Sequence, residues 1–275
     1  MIALQPPATM LAEEGELATL CADPLFVPQH ANWRQAYRNY RRRRGNGFAL
    51  TEGAAFPDDV AAAQRKLYGN RRGGPRFRAV REQRLPGCAR CGAPVTGHLD
   101  HHLPETGYPE YSLLLANLVP TCGYCNSGAK QAKVTGSHWP ERFLHPYFDR
   151  FAQKPLWRVT VDDPVALKFT PRAEPFLRKR LSALVQFNLD NLLTWQFTNY
   201  ETNIWKSLPA KVARKATGSV VNMADLDAAL SDLEFSAVAT HGVNGWEAAL
   251  LRGIKDDPAI RAYLIAQTSL LPAPM

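Results

Sequence analysis

CARCGAPVTGHLDHHLPETGYPEYSLLLANLVPTCGYCNSGAK, residues 88–130, opens on one Cys-x-x-Cys pair and nearly closes on another. A Cys-x-x-Cys knuckle turns the chain tightly enough for two thiolates to reach one ion, and tetrahedral zinc takes four such ligands. Cys88, Cys91, Cys122 and Cys125 are therefore expected to form one closed structural Zn²⁺ site. A closed site keeps no position for water or substrate, so this ion would pin the fold while other residues carry the chemistry. Between the pairs lie Asp100-His101-His102-Leu103-Pro104 and Asn117-Leu118-Val119-Pro120, and Asn126 follows the last cysteine directly.

Hydrolysis of a phosphodiester needs a base for water and a cation for the charge on phosphate and leaving oxygen. Histidine suits the first task and hard oxygen ligands the second. Side chains alternate faces along a strand, so adjacent Asp100 and His101 converge on one phosphate only where a strand ends, and Pro104 marks such an ending. In these positions the sequence resembles the HNH, or ββα-metal, endonucleases, in the variety clamped by two Cys-x-x-Cys pairs. Asp100-His101-x-x-Pro104 matches the first-strand motif, Asn117 the middle asparagine, and Cys122-x-x-Cys125-Asn126-x-x-x-Lys130 the helix start.

The resemblance implies that His101 is the general base and that Asp100 and Asn126 hold a catalytic Mg²⁺ or Mn²⁺. It further implies that Asn117 hydrogen-bonds loop backbone to hold His101. Many relatives have histidine where this chain has Asn126, and some where it has Lys130; the oxygen-rich set favours Mg²⁺ or Mn²⁺ over a catalytic transition metal. Lys130 is expected one helical turn beyond Asn126, on the same face, where its charge would meet a phosphate. His98 and His102 share a strand face with Asp100 by spacing, as ligands or as packing. A plain zinc ribbon would also explain four cysteines, but it has about 15 to 20 residues between its pairs. Here there are 30, residues 92–121.

The chain has 275 residues, 45% of them apolar, as for a packed globular protein. No apolar run approaches membrane-spanning length and the start lacks a signal-peptide pattern, so the expectation is a cytoplasmic protein without a membrane partner. Cys21 is left over and reads as a buried small residue. The net charge is +8, yet residues 29–87 alone hold fourteen Arg or Lys against four acids. The basic face belongs to this segment, and DNA is the expected partner. Arg41, Arg42, Arg43, Arg44, Arg71, Arg72, Arg76 and Arg78 are the candidate phosphate contacts.

The expected architecture is α+β and mainly helical. Basic N-terminal helices span 1–87, a central ββα-metal module 88–150 and a helical C-terminal domain 151–275. Residues 1–28 suggest a flexible start with a short helix. Residues 32–44 read as a basic helix with Trp33, Tyr37 and Tyr40 as a core stripe, 58–68 as a second helix, 69–78 as a glycine-rich arginine loop and 79–85 as a short helix. The helix after Cys122 is expected to run on through Lys133. His145-Pro146-Tyr147-Phe148 also recurs near HNH motifs in the bacterial anti-phage defence nucleases that this chain resembles, which are often paired with an ATPase; His145 itself reads as packed structure.

Residues 157–161 and 166–170 read as paired strands. Residues 174–203 read as one long helix with Phe176, Leu177, Leu181, Leu184, Val185, Leu192 and Trp195 as its apolar stripe. Helices at 206–215, 223–233 with Asn222 as cap, 245–253 with Asn244 as cap, and one opened by Pro258 follow. None carries a catalytic cluster, so the tail reads as a support or docking domain.

Overall fold

The computed structural model describes residues 1–7, 13–52, 56–216 and 220–270. The chain is mixed α and β, mainly helical, with two small antiparallel sheets. Helices α1 (Glu13–Leu20), α2 (His30–Arg43), α3 (Asp58–Arg71) and α4 (Pro75–Arg81) come first. In α2 the apolar positions fall on one side at helical spacing, and Trp33, Tyr37 and Tyr40 are buried as expected. The segment 69–78 is not a loop. Helix α3 continues through Arg71, and α4 starts at Pro75, whose fixed φ suits a first helical turn. Residues 1–7 are not loose either: the Ile2 amide donates to the Ala89 carbonyl at 3.0 Å, the Leu4 amide donates to that of Pro146 at 2.9 Å, and Met1 and Leu4 are buried.

Strands β1 (His98–His101) and β2 (Leu118–Thr121) pair antiparallel, with His98 opposite Thr121 and His101 opposite Leu118. After β2 a helical turn forms, but its regular part, Cys125–Ala129, has the wide π geometry and ends at Lys130. Gln131 takes the left-handed conformation, φ 48°, so the expected continuation through Lys133 does not occur.

Strands β3 (Trp157–Asp163) and β4 (Lys168–Ala173) form the second sheet, at nearly the expected places. The long helix expected over 174–203 is two: α5 (Lys179–Leu192) and α6 (Trp195–Ala213), broken where Leu193 and Thr194 turn extended. Phe176 therefore precedes α5 and Trp195 sits on a helix of different phase. Both are exposed, while Leu184, Val185 and Leu192 are buried. Helix α6 also takes in most of the separate helix expected at 206–215. Helices α7 (Met223–His241), α8 (Trp246–Lys255) and α9 (Pro258–Thr268) complete the fold.

Asn222 caps α7 in a full capping box with Asp225. Asn244 does not cap α8. It is buried, its amide donating to the Ala152 and Lys154 carbonyls and its Oδ1 accepting from the Leu156 amide, so it staples the C-terminal helices to the chain entering β3. Gly253, within α8, lies against the backbone of Val159 with no room for a Cβ.

Two cores flank the β1–β2 hairpin. One lies under α1 to α4 and takes in Leu99, Leu103, Leu113 to Ala116 and Leu118. The other unites Cys88, Cys91, Cys122 and Cys125 with Trp157, Trp246 and the apolar faces of α5 to α9. Cys21 is buried in the first. No helix among the described residues is long and apolar enough to cross a membrane.

Candidate active site and metal centre

The two knuckles bring Cys88, Cys91, Cys122 and Cys125 together, all buried, with their four sulfurs within 4.8 Å of one another. Thiolates bound at about 2.3 Å to one tetrahedral ion lie about 3.8 Å apart. The Cys91 and Cys122 Sγ atoms are separated by 3.9 Å, so the cluster is sized for zinc. Backbone amides point at the sulfurs: Cys122 N–H to Cys88 Sγ at 3.3 Å, Ala93 N–H to Cys91 Sγ and Cys125 N–H to Cys122 Sγ, both at 3.4 Å. Such donors orient ligands and stabilise their charge.

Asp100 lies buried at the centre of β1, and two cations meet it. Arg90, the residue inside the first knuckle, places Nε 2.5 Å from Asp100 Oδ2, and Lys130 Nζ is 3.7 Å from Oδ1. The Arg90 N–H is not aimed at the oxygen, so Oδ2 has ion contact but no hydrogen bond. Lys130 also donates to the His101 carbonyl at 2.8 Å and is itself buried. Burial lowers its pKa to about 8, against the opposing pull of Asp100. Lys130 thus faces inward, on Asp100 and the His101 carbonyl.

His101 ends β1, half-buried, with Nε2 2.9 Å from the Ser112 carbonyl and the Tyr68 ring packed edge-on at 4.4 Å. A carbonyl only accepts, so Nε2 carries the proton and Nδ1 keeps the lone pair. Burial pushes the imidazolium pKa below its ordinary value, which keeps the ring neutral and basic at neutral pH.

Asn117 is fully buried and uses its whole amide. Its Oδ1 accepts from the Leu103 amide at 2.8 Å and the Tyr40 hydroxyl at 2.9 Å; its Nδ2 donates to the Leu103 and Tyr111 carbonyls at 2.9 and 3.1 Å. These bonds clamp the loop that leaves His101. Tyr40 gives its one proton to Asn117, so His145 Nε2, 3.0 Å from the Tyr40 oxygen, is the donor there, and His145 Nδ1 accepts from the Tyr147 amide. The His145 ring lies tilted against that of His102, centroids 4.2 Å apart, and His102 Nδ1 faces Arg90 at 3.4 Å. Burial holds both histidines far below the usual imidazolium range, so His145 and His102 are neutral packing elements. His102 lies past the end of β1, where the alternation that aligned it with Asp100 no longer applies.

Asn126 is half-buried at the start of the π turn, and the one bond its side chain makes among the described residues is to Ser127 Oγ at 3.4 Å. The Asp100 carboxylate, whose Oδ2 has ion contact but no hydrogen bond, and the amide oxygen of Asn126 are hard donors of the kind that Mg²⁺ or Mn²⁺ takes, with water and substrate filling the rest. The residues fit such an ion, provided Asp100 gives up part of its contact with Arg90 and Lys130.

A surface groove of about 470 Å³ opens beside this site, walled by Tyr68, Arg72, Arg81, His98 and Asn126. Of the eight candidate arginines, Arg72 reaches it. Arg41 and Arg76 are tied to buried Glu13 at 2.8 and 3.0 Å, joining α1 to α2 and α4. Arg42, Arg43, Arg44, Arg71 and Arg78 are exposed elsewhere on this side, Arg78 near Glu82. Arg90, Tyr68 and Arg81 were missed from sequence. Arg90 offered the one signal, a charged residue inside a metal knuckle; the other two are near His101 only through the fold.

No family model and no solved structure matches this chain. A segment of 68 residues, 25% of the chain, is 38% identical to part of protein ea31 of Escherichia phage lambda. The match spans 22% of that protein's length.

Proposed function

We propose that the chain is a metal-dependent HNH endonuclease that hydrolyses DNA with weak sequence preference. The observation that carries this reading is a neutral histidine with Nδ1 free, His101, next to the hard-oxygen donor Asp100 on β1, with Asn126 directly after the last residue of the Cys₄ cluster. The zinc knuckles hold the two strands and the turn; Asn117 holds the loop behind His101. His101 Nδ1 takes a proton from water, and the resulting hydroxide attacks phosphorus. Mg²⁺ or Mn²⁺, when bound, supplies the positive charge that the phosphate and the departing 3′ oxygen require. Asp100 and Asn126 would hold that ion.

A weakly specific nuclease endangers its own host, so its activity requires restraint. We assign it to anti-phage defence, under control of a partner such as an ATPase, on the likeness of residues 145–148 and the central motif to defence nucleases. The partial similarity to a phage protein favours a second setting for the same chemistry, a nuclease of mobile elements.

Supercoiled plasmid decides between the nuclease and a non-catalytic zinc protein. With Mg²⁺ the wild-type protein should nick it, and His101→Ala should slow nicking by about 10²- to 10⁴-fold with zinc content and melting unchanged. Equal rates for the two proteins, or no Mg²⁺-dependent nicking by the wild type, would overturn the proposal.

A further inference from the structure

One wall of the groove is the α3–α4 corner, whose Tyr68 ring packs edge-on against His101 and whose residues lie outside the Asp-His-Asn set. Arg72 caps α3, Arg81 ends α4, and Tyr68 lies one turn before Arg72. Arg41 and Arg76 are tied to Glu13, and Arg78 lies near Glu82. Among the described residues, neither Arg72 nor Arg81 pairs with a carboxylate. Arg81 instead donates to the Arg72 carbonyl at 2.5 Å, which leaves the rest of its guanidinium uncompensated and fixes it beside Arg72. Tyr68 has its ring packed on His101, and its hydroxyl lies within the field of Glu105 and of both arginines. The opposite wall is His98, whose ring lies against Gly123, and Asn126.

We propose that this groove is the track for the substrate's phosphodiester backbone, with Arg72 and Arg81 gripping a phosphate next to the one being cut and Tyr68 spacing that grip from His101. The inference rests on the nuclease reading and narrows it. Of the many arginines in the basic segment, the pair on this wall, one of them outside the arginine cluster conspicuous in sequence, sets substrate position. Phosphate contacts fix register without reading bases, which agrees with weak sequence preference. A guanidinium fork suits phosphate oxygens better than an ammonium does.

The test is binding by the full-length zinc-loaded protein to a short fluorescent duplex, without added Mg²⁺, over a range of salt. Arg72→Gln and Arg81→Gln should each weaken binding about fivefold near physiological salt and flatten the log affinity against log salt slope by about 0.9, the effect of one phosphate contact. Arg180→Gln, an exposed arginine on α5, should change the slope no more than its remote charge allows, well under that value. Arg81→Lys should restore the slope while losing part of the affinity, which separates lost charge from lost fold. Matching DNA and RNA strands show which sugar the track accepts. An unchanged slope in both glutamine variants, or equal flattening by Arg180→Gln, overturns the track even if the wild type nicks plasmid. Flattening confined to the groove pair sustains it even if nicking fails.

Discussion

Asn117 shows what a single buried amide can organise: two acceptor positions and two donor positions, all filled, from three separate stretches of chain. Asn117→Ala leaves the Leu103 amide and carbonyl buried without the partner they have here, while the Tyr40 hydroxyl keeps His145 and the Tyr111 carbonyl keeps the Leu114 amide. At about 1–3 kcal/mol for each unsatisfied group, urea unfolding should register a loss of at least about 2 kcal/mol, and cleavage should fall with it. A loss below 1 kcal/mol would mean that the clamp is dispensable. This residue was legible in the sequence because its motif position implied a backbone clamp. Arg90 was not, because nothing in a linear pattern tells that a charge between two cysteines will turn inward onto Asp100. The inward turn of Lys130 was equally hidden: helical spacing put it on the face of Asn126, whereas its charge meets Asp100 and the His101 carbonyl.

At the level of elements, periodicity located most helices and both sheets, and it failed where local rules competed. A proline at a first turn made α4 out of an apparent loop, and an extended Leu193–Thr194 step divided an apparent long helix. Asn244 resembled a cap by its place before a helix, but deep burial recruited it to three backbone groups instead. Helix α6 carries a feature no pattern signals: Glu201, fully buried, with both carboxylate oxygens lacking hydrogen bonds among the described residues. Burial, with Glu247 adding repulsion, raises its pKa well above the usual carboxylate range. The folded state therefore keeps a proton that the unfolded state loses, and stability falls as pH rises from the ordinary carboxylate pKa toward the raised one. Glu201→Leu should remove that slope and stabilise the protein at pH 8 by about 1–3 kcal/mol more than at pH 4. Identical pH profiles for both proteins in chemical denaturation would show that the carboxyl finds partners in solution.

Across the molecule, the cysteine cluster belongs to the same core as the C-terminal helices, which composition and motif spacing could not reveal. Trp246 on α8 donates to the Cys91 carbonyl at 2.7 Å, and the Asn244 carbonyl accepts from Trp157 at 3.3 Å. Loss of the metal should therefore be felt beyond the hairpin. Cys125→Ser is expected to release zinc, measured by metal analysis, and to erase the near-ultraviolet dichroism of the C-terminal tryptophans along with the melting transition. Retention of that dichroism in a zinc-free variant would show that the tail folds by its own contacts. The Gly253 position gives this coupling a mechanical character. Helix α8 rests on β3 with two backbones touching and no spacer between them. A methyl group there would act as a shim, tilting a rigid rod whose other end, Trp246, is fastened to the first knuckle. A position with no chemistry of its own thus sets the tolerance to which the first cysteine turn is machined.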